Sequence, residues 1–224
     1  MKKIIMIILA LVFITGCGNN KVNDSIKFKE SYESLNDSKR SISISEDNPF
    51  VYSNGEEVIN KINDNEEMFI YIGDPKCPWC RSVIEKFISV AKEVNVDKVY
   101  YVEIWDNDHN EIYRSKAIVN DEGKVEFTVK GTDAYYKLLE KADKFLSDYT
   151  VKDKDGNSIK TGEKRLFAPT FIYVKNGEVK ALETGISDKQ TDSNMELSED
   201  ILKDEENKFK EFIKVKDTCE SNMC

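Results

Sequence analysis

Apolar positions along this chain fall into three kinds of pattern. Continuous runs come first. MFIYIG at 68–73 and KVYYVEIW at 98–105 are rich in β-branched and aromatic residues and predict two central strands buried on both faces. PTFIYV at 169–174 predicts a third, opened by proline, and Asn176-Gly177 turns it into an antiparallel partner at EVKALETG. Helical spacings come next. Val83, Ile84, Phe87, Ile88 and Ala91 recur every three or four residues after Cys77-Pro78, with Pro78 suited to the first helical turn. Val58, Ile59 and Ile62 give a shorter helix face after Asn54-Gly55. Tyr135, Leu138, Leu139, Ala142, Phe145, Leu146 and Tyr149 share one face and predict a helix over about 133–149. Two heptads of this kind are expected to pack on their own domain rather than on a coiled-coil partner. A last helix starts near Ser198, with Leu197 and Leu202 placed as a hydrophobic staple and Ile201, Phe209, Phe212 and Ile213 on its face. Alternation is the third pattern. Ile42 and Ile44 between serines predict a first strand, and Asp155-Gly156 between TVKDK and NSIKT predicts a hairpin.

The apolar run from Ile4 to Ile14 is different. Its eleven residues would make a helix of about 16 Å, against roughly 30 Å of hydrocarbon. With Lys2 and Lys3 ahead of it, residues 1–16 read as a signal peptide. Ile14-Thr15-Gly16-Cys17 resembles the lipobox of bacterial lipoproteins. That resemblance implies a diacylglyceryl group on Cys17, a firm membrane anchor, and a location on the extracytoplasmic face of the cell membrane. Residues 17–40 are polar and poorly periodic and are expected to form a flexible tether, with a short helix within it as the alternative. The remainder of the 224-residue chain is long enough for one domain, placed at 41–215, followed by a tail at 216–224. The formal charge of -9 repels phosphate, so nucleic acid is not expected as a partner.

Five cysteines are an awkward number outside the cell. Lipidation of Cys17 would leave two close pairs, Cys77/Cys80 and Cys219/Cys224. The first pair is a CPWC motif at a strand-to-helix junction, much more specific than CxxC alone. A thiol at a helix start meets unpaired backbone N–H groups and the positive end of the dipole, which favour the thiolate. Cys77 is therefore the expected nucleophile, and Cys80, one turn inside, the resolving sulfur. Trp79 either packs at the helix start or contacts a substrate chain. The second pair reads as a tail disulfide, as a redox pair exchanging with the first, or as half of a four-cysteine zinc site. A Pro-Trp spacer at the head of a helix suits zinc poorly, and His109 is the single histidine, so no metal is expected. A redox-active disulfide needs no further cofactor.

The order strand, CxxC, helix, strand, insert, proline-led strand, hairpin strand, helix resembles the thioredoxin fold. This implies an α/β domain, a central mixed sheet flanked by helices, with a helical and hairpin insert at about 106–165. Ala168-Pro169-Thr170 is similar to the family's cis-proline element, which implies a substrate groove formed by Pro78, Trp79, Ala168, Pro169 and Thr170. NPFVY, CPWCRSVIE, GEKRLFAPTF and KNGEV also resemble thioredoxin-like lipoproteins of Gram-positive bacteria described as bacteriocin transport accessory proteins. The resemblance implies a thiol–disulfide oxidoreductase acting on extracytoplasmic protein thiols and disulfides. The alternative is a non-catalytic accessory protein for peptide export or maturation. Two departures leave the direction of electron flow open. Tyr71 stands where thioredoxins commonly carry a buried aspartate, and Pro-Trp replaces Gly-Pro. The substrate, the recycling partner in the membrane and the oligomeric state are not encoded in any pattern found.

Overall fold

A computed structural model describes residues 18–106, 108 and 110–220. The expected signal peptide, the expected lipidation site Cys17, His109 and Cys224 lie outside the described residues. Five strands form the central sheet: β1 (Phe50–Ser53), β2 (Met68–Gly73), β3 (Val99–Glu103), β8 (Thr170–Lys175) and β9 (Glu178–Glu183), in the order β1-β3-β2-β8-β9. β3 runs parallel to both β1 and β2, whereas β8 is antiparallel to β2 and to β9. All six residues of β2 are buried, as a continuous apolar run requires of a strand covered on both faces. Their side chains divide by the period of two. Phe69 and Tyr71 join one core with Phe87, Phe171 and Phe209, and Met68, Ile70 and Ile72 join a second with Val58, Ile62 and Leu138.

The helices that build those cores are α1 (Gly18–Glu33), α2 (Gly55–Asn63), α3 (Pro78–Glu93), α4 (Asp133–Ala142) and α5 (Glu199–Glu220). α1, α3 and α5 cover one face of the sheet, α2 and α4 the other. Local chemistry fixes their starts. Asn54 accepts from the Glu57 N–H to cap α2, Thr132 caps α4 through Tyr135, and Ser198 Oγ accepts from Ile201 N–H at 3.4 Å at the head of α5. Asn176 and Gly177, at φ 53° and 73°, make the expected tight turn between β8 and β9. Between β3 and β8 lie the hairpin β4 (Lys116–Val119) and β5 (Val125–Val129), then α4, then the hairpin β6 (Asp148–Lys152) and β7 (Ser158–Lys164). This is the central mixed sheet flanked by helices that the sequence resemblance implies.

Three expectations need correction. The alternative of a helix within the expected tether holds, as α1 over residues 18–33, but the segment is docked on the core and not a free tether. Phe28 and Tyr32 are fully buried, Phe28 stacking on Phe50 at 4.0 Å and meeting Tyr101 edge-on at 5.0 Å. Burying two such rings is worth about 2–3 kcal/mol each. The buried stripe of α1 is only Ser25, Phe28 and Tyr32, too short and too polar in the sequence to register as a period. Ile42 and Ile44 are buried but belong to no strand. Their backbone groups are satisfied by side chains instead: Asn36 brackets Ile42, and Glu33 and Lys29 bracket Ile44. Finally, the helix predicted over 133–149 stops at Ala142, followed by a 3-10 turn at Asp143–Phe145. Lys164 Nζ donates to the Asp143 carbonyl at 2.7 Å, and Tyr149 is buried from strand β6, so its place in the heptad pattern was coincidence.

Candidate active site

Strand β2 ends at Gly73, and the following Asp74-Pro75-Lys76 loop delivers Cys77 to the start of α3. The register of β2 against β8 pairs Ile72 with Thr170, so the chain just before β8 arrives beside that loop. Ala168-Pro169 is a cis peptide there. The outcome is direct: the Cys77 thiol donates to the Ala168 carbonyl at 3.6 Å. Cys77 is also the N-cap of α3, its sulfur accepting the Cys80 N–H at 3.4 Å, and Pro78 occupies the first turn, where a missing N–H costs nothing. Asp74, 2% exposed, shapes the approach: its carboxylate accepts the Lys76 N–H and its carbonyl the Cys77 N–H.

The two sulfurs are driven apart in acidity. A hydrogen bond from the Cys80 thiol holds the Cys77 thiol below its ordinary pKa; burial works against that, and the Cys80 and Trp79 N–H groups reinforce it. Cys80 is fully buried, and burial followed by the neighbouring Cys77 pushes its thiol well up. Both are free thiols. The pair is thus one part-exposed sulfur favoured as an anion and one enclosed sulfur favoured as a thiol.

Tyr71 lies against Cys80 in the interior. Its hydroxyl meets that of Tyr32 at 2.8 Å, and it favours the Cys80 anion. A Cβ on Gly73 would stand 2.2 Å from the Tyr71 hydroxyl, so the glycine at the end of β2 makes room for the phenol. Through Tyr32, helix α1 therefore reaches the dithiol. Arg81, next to Cys80 and 6% exposed, clamps it there by donating to the Tyr32 carbonyl at 2.7 Å and to Asn36 Oδ1 at 2.8 Å. Tyr32→Phe removes the phenolic partner of the buried Tyr71 hydroxyl and leaves it the Cys80 sulfur. A loss of about 1–2 kcal/mol in chemical denaturation is the expected result. An unchanged midpoint would mean that the two hydroxyls are not coupled.

A groove of about 440 Å³ opens beside Cys77, bounded by Pro78, Ala168, the exposed Phe167 and Trp105. Its far wall is a buried ion cluster. Glu111 receives Arg114 Nε at 2.6 Å, the Trp105 indole N–H at 2.8 Å, and Arg165 Nη2 at 3.6 Å. Arg114 and Arg165 are 6% and 7% exposed, and Arg165 also lies over the Tyr149 ring at 4.3 Å. Burial, then Arg114, pulls the Arg165 guanidinium below its usual range, because two cations share one carboxylate.

Of the groove residues predicted from sequence, Pro78 and Ala168 line this space and Trp79 is part-buried at the start of α3. Pro169 is buried. Thr170, 2% exposed, turns its hydroxyl back to the Phe167 carbonyl and offers the groove no surface. Cys219 is buried and disulfide-bonded, so it is not held to either free thiol of the CPWC pair. Sequence reasoning missed Arg81, Arg114, Arg165 and Glu111. Arg165 falls inside the quoted GEKRLFAPTF segment, but a charged residue in a polar stretch reads as solvated surface.

No protein-family model matches the chain, and no curated protein matches it. Among solved structures the chain is similar to thioredoxin O2 from Arabidopsis thaliana in its oxidized state, at 14% identity and a TM-score of 0.33, over 62% of this chain and 85% of that one. The strand order, with a dithiol opening α3 beside a cis-proline, is the arrangement that the resemblance read from the sequence implies.

Proposed function

We propose that this protein is a thiol–disulfide oxidoreductase, lipid-anchored through Cys17 on the extracytoplasmic face of the cell membrane, that acts on protein cysteines. One observation carries the chemistry: Cys77 caps α3 with its sulfur lowered in pKa, while Cys80 one turn inside is enclosed and raised. The location is supported by Lys2, Lys3, the Ile4–Ile14 run and the segment ending at Cys17.

In the reducing direction the Cys77 thiolate attacks one sulfur of a substrate disulfide. The substrate S–S bond breaks, a mixed disulfide forms, and the other substrate sulfur leaves as a thiolate that takes a proton from water. Cys80 then gives up its proton and attacks the Cys77 sulfur, closing the Cys77–Cys80 disulfide and releasing the second substrate thiolate. The dithiol loses two electrons and the substrate gains them. Oxidation of a substrate dithiol is the same sequence reversed. Pro78, Ala168 and the backbone around Pro169 form the surface against which the substrate chain lies.

Cys80→Ala leaves the attacking sulfur without its resolving partner. The full chain carrying it is expected to accumulate mixed disulfides through Cys77, visible as thiol-sensitive adducts on non-reducing gels. The wild type is expected to reduce insulin or to refold a reduced, unfolded disulfide protein. Failure in both assays together with no adducts would leave a non-catalytic accessory protein as the better description.

A further inference from the structure

The protein is strongly acidic as a whole, yet the linings of the two grooves beside the dithiol are mostly cationic. On one side of Pro78 a groove of about 300 Å³ runs past Pro75 and Leu35, and its charged lining is Lys39, Arg40, Lys76 and Arg81 against Asp37 alone. On the other side the groove beside Cys77 shares Lys76 and Pro78 and adds Arg114 and Arg165 against Asp74. Glu111, behind the wall, is already divided between those two arginines. Counting Lys76 once, the two linings hold six cations and two carboxylates, on a chain whose formal charge is -9. From outside the grooves Glu111 stands behind one wall, Glu103 and Asp106 act on Lys76, and Glu85 acts on Arg81. Arg81 and Arg40 donate to backbone carbonyls and an amide oxygen, which orient the guanidinium groups, while Asp37 and Glu85 act on Arg81 and Glu205 on Arg40. Both grooves are also part apolar, through Leu35 on one side and the half-exposed Phe167 on the other.

We propose that these two grooves make the dithiol selective for anionic substrates: a cysteine carried on an extended acidic peptide segment, with carboxylates on either side of the reacting sulfur. This rests on the oxidoreductase assignment and names its substrate class. Low-dielectric walls lined by one sign of charge focus the field and raise the local concentration of the opposite charge, which accelerates encounter. The patch converges on the attacking sulfur. Carboxylates flanking a substrate cysteine lie against Lys39, Arg40 and Lys76 on one side and Arg114 and Arg165 on the other, while the peptide backbone passes Ala168.

The test uses the full chain, reduced, and three small disulfides: dithiodiglycolate (anionic), hydroxyethyl disulfide (neutral) and cystamine (cationic). Each rate with the protein is divided by the rate of a free small-molecule thiol with the same probe, which removes intrinsic reactivity. The expected order is anionic, neutral, cationic, with an anionic-to-neutral ratio of about tenfold at low salt that collapses towards unity in molar salt, where the screening length falls to about 3 Å. Lys39→Gln/Lys76→Gln should lower that ratio severalfold. A double variant of the same charge change in the exposed hairpins, Lys124→Gln/Lys160→Gln, should leave the ratio as it was. A ratio near unity at low salt, or one that the two double variants lower equally, overturns the substrate class while the oxidoreductase assignment stands. No reaction of Cys77 with any of the three probes overturns that assignment instead.

Discussion

At neutral pH iodoacetamide is expected to label Cys77 and to leave Cys80 untouched, and Cys77→Ser is expected to cut thiol–disulfide exchange by about 10³-fold or more, the scale on which removing a covalent nucleophile acts. Both results follow from the same few atoms. Cys77 sits where the backbone of α3 leaves N–H groups without helical partners, and the Cys80 N–H points at its sulfur at 3.4 Å. The Cys80 thiol adds a second donor, and together they outweigh burial and lower the Cys77 pKa. Labelling should rise with pH through that lowered value and level off before an ordinary thiol, at about 8.5, has half ionised. Cys80 has the opposite balance, because an enclosed anion beside another sulfur is costly, and its labelling in the folded protein should stay negligible across the same range. Unfolding in denaturant should equalise the two. A Cys77 profile that follows an ordinary free thiol, or equal labelling of both residues in the native state, would remove the basis for the assigned roles.

Much of this centre was legible in the chain. Pro78 at the first turn, the apolar stripe from Val83 to Ala91 and the continuous run at β2 are local signals, and each specifies its element without help from distant residues. Ala168-Pro169 was placed beside Cys77 by resemblance, and register supplies the physical reason, since Ile72 opposite Thr170 leaves no other place for the preceding loop. What remained hidden is long-range. Tyr32 reads as one aromatic in a polar stretch, yet it touches Tyr71, 39 positions away, through a hydroxyl pair in the core. Glu111 joins residues from both ends of the segment between β3 and β8, and nothing in the local pattern around Trp105, Arg114 or Arg165 announces that three polar groups converge on one carboxylate. The false strand at Ile42 and Ile44 failed for a related reason. Alternation encodes which side chains are buried, and side chains of Glu33 and Asn36 substitute for the neighbouring strand that alternation normally implies.

Glu205 gives the second large expectation, on stability. It lies on the inner face of α5 in the stripe of Ile201, Phe209 and Phe212, fully buried, and neither carboxylate oxygen has a hydrogen-bond partner among the described residues. Burial raises its pKa to about 7, with Lys86, Arg40 and Lys208 pulling it down and Asp204 pushing it up. An unfolded glutamate titrates at about 4.3. Below that value the carboxyl is protonated in both states and costs nothing. Between the two values only the folded state holds the proton, so stability falls as pH rises, and above about 7 the cost is constant. Glu205→Gln keeps the shape and removes the charge. It is expected to leave stability nearly unchanged at about pH 4 and to raise it by about 2 kcal/mol at about pH 8, measured as denaturant midpoints across that range. The sign separates this from a generic core substitution, which destabilises at every pH. A variant whose stability declines between acid and neutral pH as steeply as the wild type would mean that another group carries the slope, and that the lysines and Arg40 around α5 already hold Glu205 as a satisfied anion.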